Sequence, residues 1–141
     1  MKKIAYSSLA YMIFGLAAGL FYREFPRMIN VVGEVQDSQL SVVHTHAFAL
    51  GMFVFLFVLI FAKLFNIHKH PHFNKFYLTY HIGVGVSTLT MLAHGIYVEL
   101  GNAPHAAFSG IAGLGHIVLT IAFALFFYVL IGSINENETN A

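Results

Sequence analysis

Four long apolar stretches, set apart by short polar breaks, run the length of the chain: Ile4 to Tyr22, Ser41 to Phe65, Phe76 to Glu99 and Phe108 to Ser133. Each reaches the roughly 20 residues needed to cross the hydrocarbon core of a bilayer. Lipid offers a backbone amide no water to bond, so stretches this evenly apolar are predicted as helices, whose amides are satisfied within the segment. The pattern predicts an all-α fold, one transmembrane domain over 1–141 with helices at about 4–22, 41–65, 76–99 and 108–133. No linker, repeat or low-complexity tract divides it, and the polar tail from Asn135 to Ala141 is expected to fray.

Composition agrees. Of 141 residues, 58% are hydrophobic and 9% charged, and the mean hydropathy is +0.75. An ordinary soluble domain of this size does not carry such values. Lys2, Lys3, Lys63, Lys69 and Lys75 fall on one side of the predicted topology. Arg23 and Arg27 fall on the other, offset by Glu24, Glu34, Asp37 and Glu99. Cations favour the cytoplasmic side, so the expectation is a multi-pass protein of the bacterial cytoplasmic membrane with both termini cytoplasmic. Met1-Lys2-Lys3 before an apolar run also resembles a signal peptide, with small residues for cleavage near Ala17, Ala18 and Gly19. The chain has no cysteine, which removes disulfides, thiolate ligands and covalent c-type haem together. A net charge of +1 gives no sign of a nucleic-acid partner.

The candidate chemistry lies in nine histidines. Imidazole inside a membrane is costly unless it is paired, hydrogen-bonded or metal-bound. His44 and His46, two residues apart, point roughly 200° from each other on a helix and cannot easily clamp one ion between them, so they imply two sites. Counted from the ends of their segments, His44, His46, His94 and His116 fall into one layer in the outer half of the membrane, and His81 falls outside it. Interhelical hydrogen bonding is the plainer use of such residues; four in one layer favours ligation, with His44 and His46 as the leading ligands. Neutral imidazole suits zinc, copper and haem iron alike.

The surroundings favour haem. A bare ion needs three or four converging donors and usually recruits acids or thiolates, whereas haem needs one or two axial imidazoles, an apolar slot and cations for its propionates. Phe48, Phe53, Phe55 and Phe57, with Gly83, Gly85, Gly110, Gly113 and Gly115, offer walls for such a slot, although lipid-facing or core packing is the plainer use of most of the phenylalanines. Arg23, Arg27 and Tyr22 stand where propionates would emerge, a role that competes with interfacial anchoring. Gly15-x-x-x-Gly19 and Ala106-x-x-x-Gly110 are small-residue spacings that permit close helix contacts between copies. The segment His68-Lys-His-Pro-His72 reads as a solvated basic turn, with surface metal binding as its other reading.

Two resemblances extend this. Gly-Leu-Phe-Tyr-Arg-Glu-Phe from Gly19 to Phe25, Leu-Ser-Val-Val-His-Thr-His from Leu40 to His46 and Ser-Gly-Ile-Ala-Gly-Leu-Gly-His from Ser109 to His116 resemble a bacterial family of small four-helix membrane proteins of unknown function. Val-Val-His-Thr-His-Ala-Phe-Ala-Leu-Gly-Met from Val42 to Met52 is similar to the His-Phe-His helix of haem-copper oxidase subunit I, whose two histidines each ligate a different haem. That subunit has twelve helices in three four-helix arcs. The resemblance therefore implies a homotrimer of twelve helices, with haem b held between His46 of one protomer and His44 of its neighbour. The resemblance leaves His94 and His116 open, with the haem edge or a small ion as their candidate contacts. The oxidase copper site is missing: there is no His-Pro-Glu-Val-Tyr or His-His segment, which argues against oxygen reduction and leaves enzymatic activity unassigned.

The leading expectation is thus a cytochrome b-like protein for electron transfer, haem handling or gas sensing, with a redox partner not named by the sequence. The alternatives are copper or zinc binding or transport by the same histidines, and an accessory subunit with no cofactor.

Overall fold

The computed structural model describes residues 1–29 and 38–139. They form four long helices: α1 (Lys2–Met28), α2 (Leu40–Phe65), α3 (Phe73–Glu99) and α4 (Ala106–Thr139). All four are long and apolar enough to cross a membrane, and the protein is an all-helical, multi-pass membrane protein. Glu34 and Asp37, which weigh in the charge argument, lie outside the described residues.

Each helix outlasts the apolar stretch that predicts it, because helix ends carry polar residues where water and headgroups hydrate them. α1 continues through Arg23, Glu24 and Arg27. The tail expected to fray is helical to Thr139. Asn137 explains the difference: its Nδ2 donates to the carbonyls of Ser133 and Phe65, both at 2.9 Å, and so ties the end of α4 to the end of α2. Asn66 stops α2 in the left-handed region, at φ 55° and ψ 25°. Gly101, at φ 86°, follows α3. His105 begins α4 by accepting the Ala107 N–H on its Nδ1 at 3.2 Å, which satisfies a donor that a helix start leaves unpaired.

Lys3 donates to Asn74 Oδ1 at 2.7 Å, so the start of α1 lies beside the start of α3. With the Asn137 bond, this puts both termini and the 66–72 connection at one end of the bundle, here the terminal end. Leu40, Glu99 and Ala106 mark the far end.

α3 and α4 share the most extensive contact. A Cβ on Gly83 would lie 2.8 Å from Leu119 Cγ and 2.9 Å from its backbone nitrogen, and one on Gly115 would lie 2.5 Å from Ser87 Oγ. Between helices in lipid there is little hydrophobic driving force, so close packing of small residues supplies the association. These glycines seat one helix on another and do not wall a slot, as the sequence pattern suggests. Gly15 and Gly19 make contacts within the protomer: a Cβ on Gly15 would meet the Phe48 ring at 2.8 Å, and one on Gly19 would touch His44 at 3.7 Å. Ala106 and Gly110 are exposed, with open space beside Gly110.

Near the terminal end, Phe55, Phe73, Phe76 and Tyr80 are fully buried in one aromatic core with Phe126. Leu9, Ile13, Leu16 and Leu20 on α1, and Ile117, Ile121 and Ile131 on α4, are exposed, as a surface solvated by lipid tails requires.

α2 is not wound uniformly. It is α-helical over Leu40–His46, π-helical over Ala47–Phe53 and α-helical again over Val54–Phe65. π-Helical turns are rare and concentrate at functional sites. Two hydroxyls from neighbouring helices bond carbonyls of this wide turn: Tyr80 Oη donates to Leu50 at 2.8 Å and Ser8 Oγ to Met52 at 3.0 Å. Such side-chain bonds are how irregular winding survives at membrane depth.

Two glycines two residues apart, on opposite sides of α3, give a direct check on this packing. Gly83→Leu is expected to lower the thermal midpoint of the detergent-solubilised protein, at an overpacking cost of about 1–3 kcal/mol. Gly85→Ala, whose Cβ meets nothing within 4 Å, is expected to hold or raise it, by up to about 1 kcal/mol. Equal losses in both variants would refute the close α3–α4 contact.

Candidate cofactor site

His46 and His116 share one geometry. His46 Nδ1 lies 2.8 Å from the Val42 carbonyl and His116 Nδ1 lies 2.8 Å from the Ala112 carbonyl, each four residues back on its own helix. A carbonyl only accepts, so both rings carry the proton on Nδ1 and, when neutral, leave the Nε2 lone pair for another partner. A carbonyl on the far nitrogen is the usual orienting contact of a ligating histidine. His116 is exposed. His46 is half-buried beside a hollow of about 270 Å³ lined with Thr45, Ala49 and Leu50.

His44 and His46 do serve different sides of α2. The His44 ring packs edge-on to Phe48, with centroids 6.4 Å apart, and lies against Gly19 of α1. Its Nδ1 is buried with no hydrogen-bond partner. His94 is only 7% exposed, stacks on Phe108 at 4.8 Å and has no partner on either ring nitrogen. Ser38 Oγ and Glu99 Oε1, also near the far end, are buried and unpartnered as well. Among the described residues, no three of His, Asp and Glu come together in a way that could hold a metal ion. The shared depth of the four histidines is thus not a shared point within one copy.

At the far end of α1, Arg23 Nε and Arg27 Nη1 reach Glu24 Oε1 at 3.1 and 3.3 Å, all three side chains well exposed, with Tyr22 half-buried beside them. Exposed pairs of this kind contribute about 1 kcal/mol or less, so either guanidinium can exchange its carboxylate for another anion at small cost. Of the phenylalanines on α2, Phe55 belongs to the core, Phe48 fills the space over Gly15, and Phe53 and Phe57 are exposed.

The connection histidines do not project together from an extended strand. Ile67–Lys69 is a short 3₁₀ turn, and His70 and His72 both pack on Tyr128 of α4, at 5.7 and 5.6 Å between centroids. His70 Nδ1 accepts the backbone N–H of His72 at 3.2 Å.

One cluster escapes the layer argument. Tyr11 Oη lies 2.9 Å from His81 Nδ1, and Ser7 Oγ lies 3.1 Å from His81 Nε2 and 2.6 Å from Tyr77 Oη. The four residues line a cleft of about 620 Å³ between α1 and α3. Its signal was present as two facing i, i+4 pairs, Ser7 with Tyr11 and Tyr77 with His81, which helical spacing puts on one side of each helix.

Four lipid-facing helices, three of them carrying imidazoles, define the class, a small polytopic membrane protein with candidate ligands on its surface. Residues 1–133 match the family described as "Protein of unknown function (DUF2871)", and the chain belongs to that family. No curated protein and no solved structure matches it.

His94 gives the next prediction. His94→Phe keeps the stack on Phe108 and removes two buried, unpartnered nitrogens, whose desolvation costs about 1–3 kcal/mol. The thermal midpoint is expected to hold or rise. A fall would show that this ring meets a partner from outside the chain.

Proposed function

We propose that this chain is a b-type haem protein of the bacterial cytoplasmic membrane, with bis-histidine iron shared between copies in a homotrimer. The observation that supports this best is His46: its Nδ1 proton is committed to Val42, and its Nε2 is left for a ligand beside an outward-facing hollow. Axial ligation asks for one or two such imidazoles, which suits a protomer whose described residues gather no three His, Asp or Glu donors at one point.

The oxidase-like His-x-His pattern assigns the second axial position to His44 of the neighbouring copy. His116 is the other candidate, because it repeats the His46 geometry on α4. Arg23 and Arg27, released from Glu24, would take the propionates beside Tyr22. The exposed Ala106 and Gly110 offer a small-residue surface for a neighbouring helix. Lys63 in the last turn of α2 and Lys75 in the first turn of α3 join Lys2 and Lys3 at the terminal end, which favours cytoplasmic termini. Haem with both axial positions filled supplies one-electron exchange, so electron transfer is the favoured role, with haem handling or gas sensing open to a form that loses one histidine. Copper or zinc carriage is supported less, since a bare ion wants the convergence that the described residues lack.

An optical spectrum of protein extracted from membranes is expected to show a Soret band and, after dithionite, sharp α and β bands. His46→Ala is expected to lose the haem. His44→Ala and His116→Ala identify the second ligand by which of them loses it or turns high-spin. Colourless protein with stoichiometric copper or zinc, or unchanged haem content in all three variants, would overturn the proposal.

A further inference from the structure

The cleft between α1 and α3 is open, large and unused by the histidines assigned above. We infer that it binds a lipid-soluble quinol or quinone, whose head is held by Ser7, Tyr11, Tyr77 and His81. The volume of about 620 Å³ is that of a small-molecule site. His81 lies about 12 Å along α3 from Phe73, at 1.5 Å per residue, so the polar cluster sits below the polar end of the bundle and within reach of a lipid-soluble ligand.

The polar groups choose the head. Three hydroxyls and one imidazole meet here, and each of the four both donates and accepts hydrogen bonds. His81 has a hydroxyl on each ring nitrogen, so either tautomer keeps both bonds. A quinol presents donors where its quinone presents acceptors, and a cluster made only of amphiprotic groups matches both forms. An anionic headgroup is matched less well. Lys3 is the one charged residue among those lining the cleft, and its Nζ is tied to Asn74 and sits over the Tyr77 ring at 4.8 Å.

The apolar part fits a tail. Beyond the cluster the lining turns to Phe14, Gly85 and Leu89, and Phe14 also lines a second, almost wholly apolar cleft of about 410 Å³ with Ala17, Phe21 and Leu92. The two hollows follow the α1–α3 seam from the polar cluster toward the far end, as a prenyl chain would. Nothing in this reading depends on haem.

The test uses the full chain in membrane vesicles, photolabelled with an azido-benzoquinone bearing a ten-carbon tail, with labelled peptides read by mass spectrometry. Label is expected on peptides containing Tyr11 and His81. Gly85→Leu places a side chain where a Cβ meets open space, away from the hydroxyls, and is expected to cut labelling by more than about tenfold, equivalent to roughly 1.4 kcal/mol, with the thermal midpoint and haem content kept. Tyr11→Phe combined with Ser7→Ala keeps the shape and is expected to weaken labelling several-fold. Labelling that persists in Gly85→Leu, falls elsewhere on the chain, or is displaced by phosphatidylglycerol and not by unlabelled quinone overturns the inference. Haem-free wild-type protein that still takes the label would sink the haem proposal and leave this one standing.

Discussion

A polar group without a partner is far more expensive in hydrocarbon than in water, and the arrangement of this protein follows from that single cost. It dictates helices, since only they satisfy every amide locally. It then governs side chains. Tyr80 and Ser8 bond the carbonyls of the irregular turn in α2, Asn137 ties α4 to α2, and His105 covers the start of α4. The imidazoles of His46 and His116 each spend one nitrogen on their own helix. What is left over carries information: one nitrogen on each of those rings, the buried Nδ1 of His44, and both nitrogens of His94.

Two regions of different character result. The terminal half is built around Phe55, Phe73, Phe76 and Tyr80, with the hydroxyl–imidazole cluster on its α1 side, and its polar atoms are largely paired. Most of the buried polar atoms without partners lie in the far half, at Ser38, His44, His94 and Glu99, with Ser87 mid-way along α3 and His68 at the terminal end. A cofactor or neighbouring chain would meet the unpartnered atoms of the far half, and a small lipid-soluble ligand would visit the cluster in the other.

The four helices were legible because their signal is additive: twenty apolar residues in a row outvote any single exception. Their ends were less so, since Arg23 and Asn137 are polar by type and helical by position, one through hydration and the other through two carbonyl bonds. The opposed directions of His44 and His46 follow from helical rotation alone and hold in the structure. Counting residues for depth placed four histidines in one layer, but depth says nothing about azimuth, and azimuth keeps them apart. Glycines were misread for a similar reason. Gly83 and Gly115 are spacers wherever they face a backbone, and only the partner helix reveals that they face Leu119 and Ser87.

The wide turn at Ala47–Phe53 has a further effect on how α2 presents itself. Because its bonds span five residues, it advances the chain by a smaller rotation per residue than the segments on either side. The helix therefore acts as a phase shifter between the rings of His44 and His46 and the aromatic wall begun by Phe55. Seven residues here take about the rotation that six take in the α-helical segments, so removing one residue would restore ordinary pitch and leave the two histidines close to their present direction relative to the core.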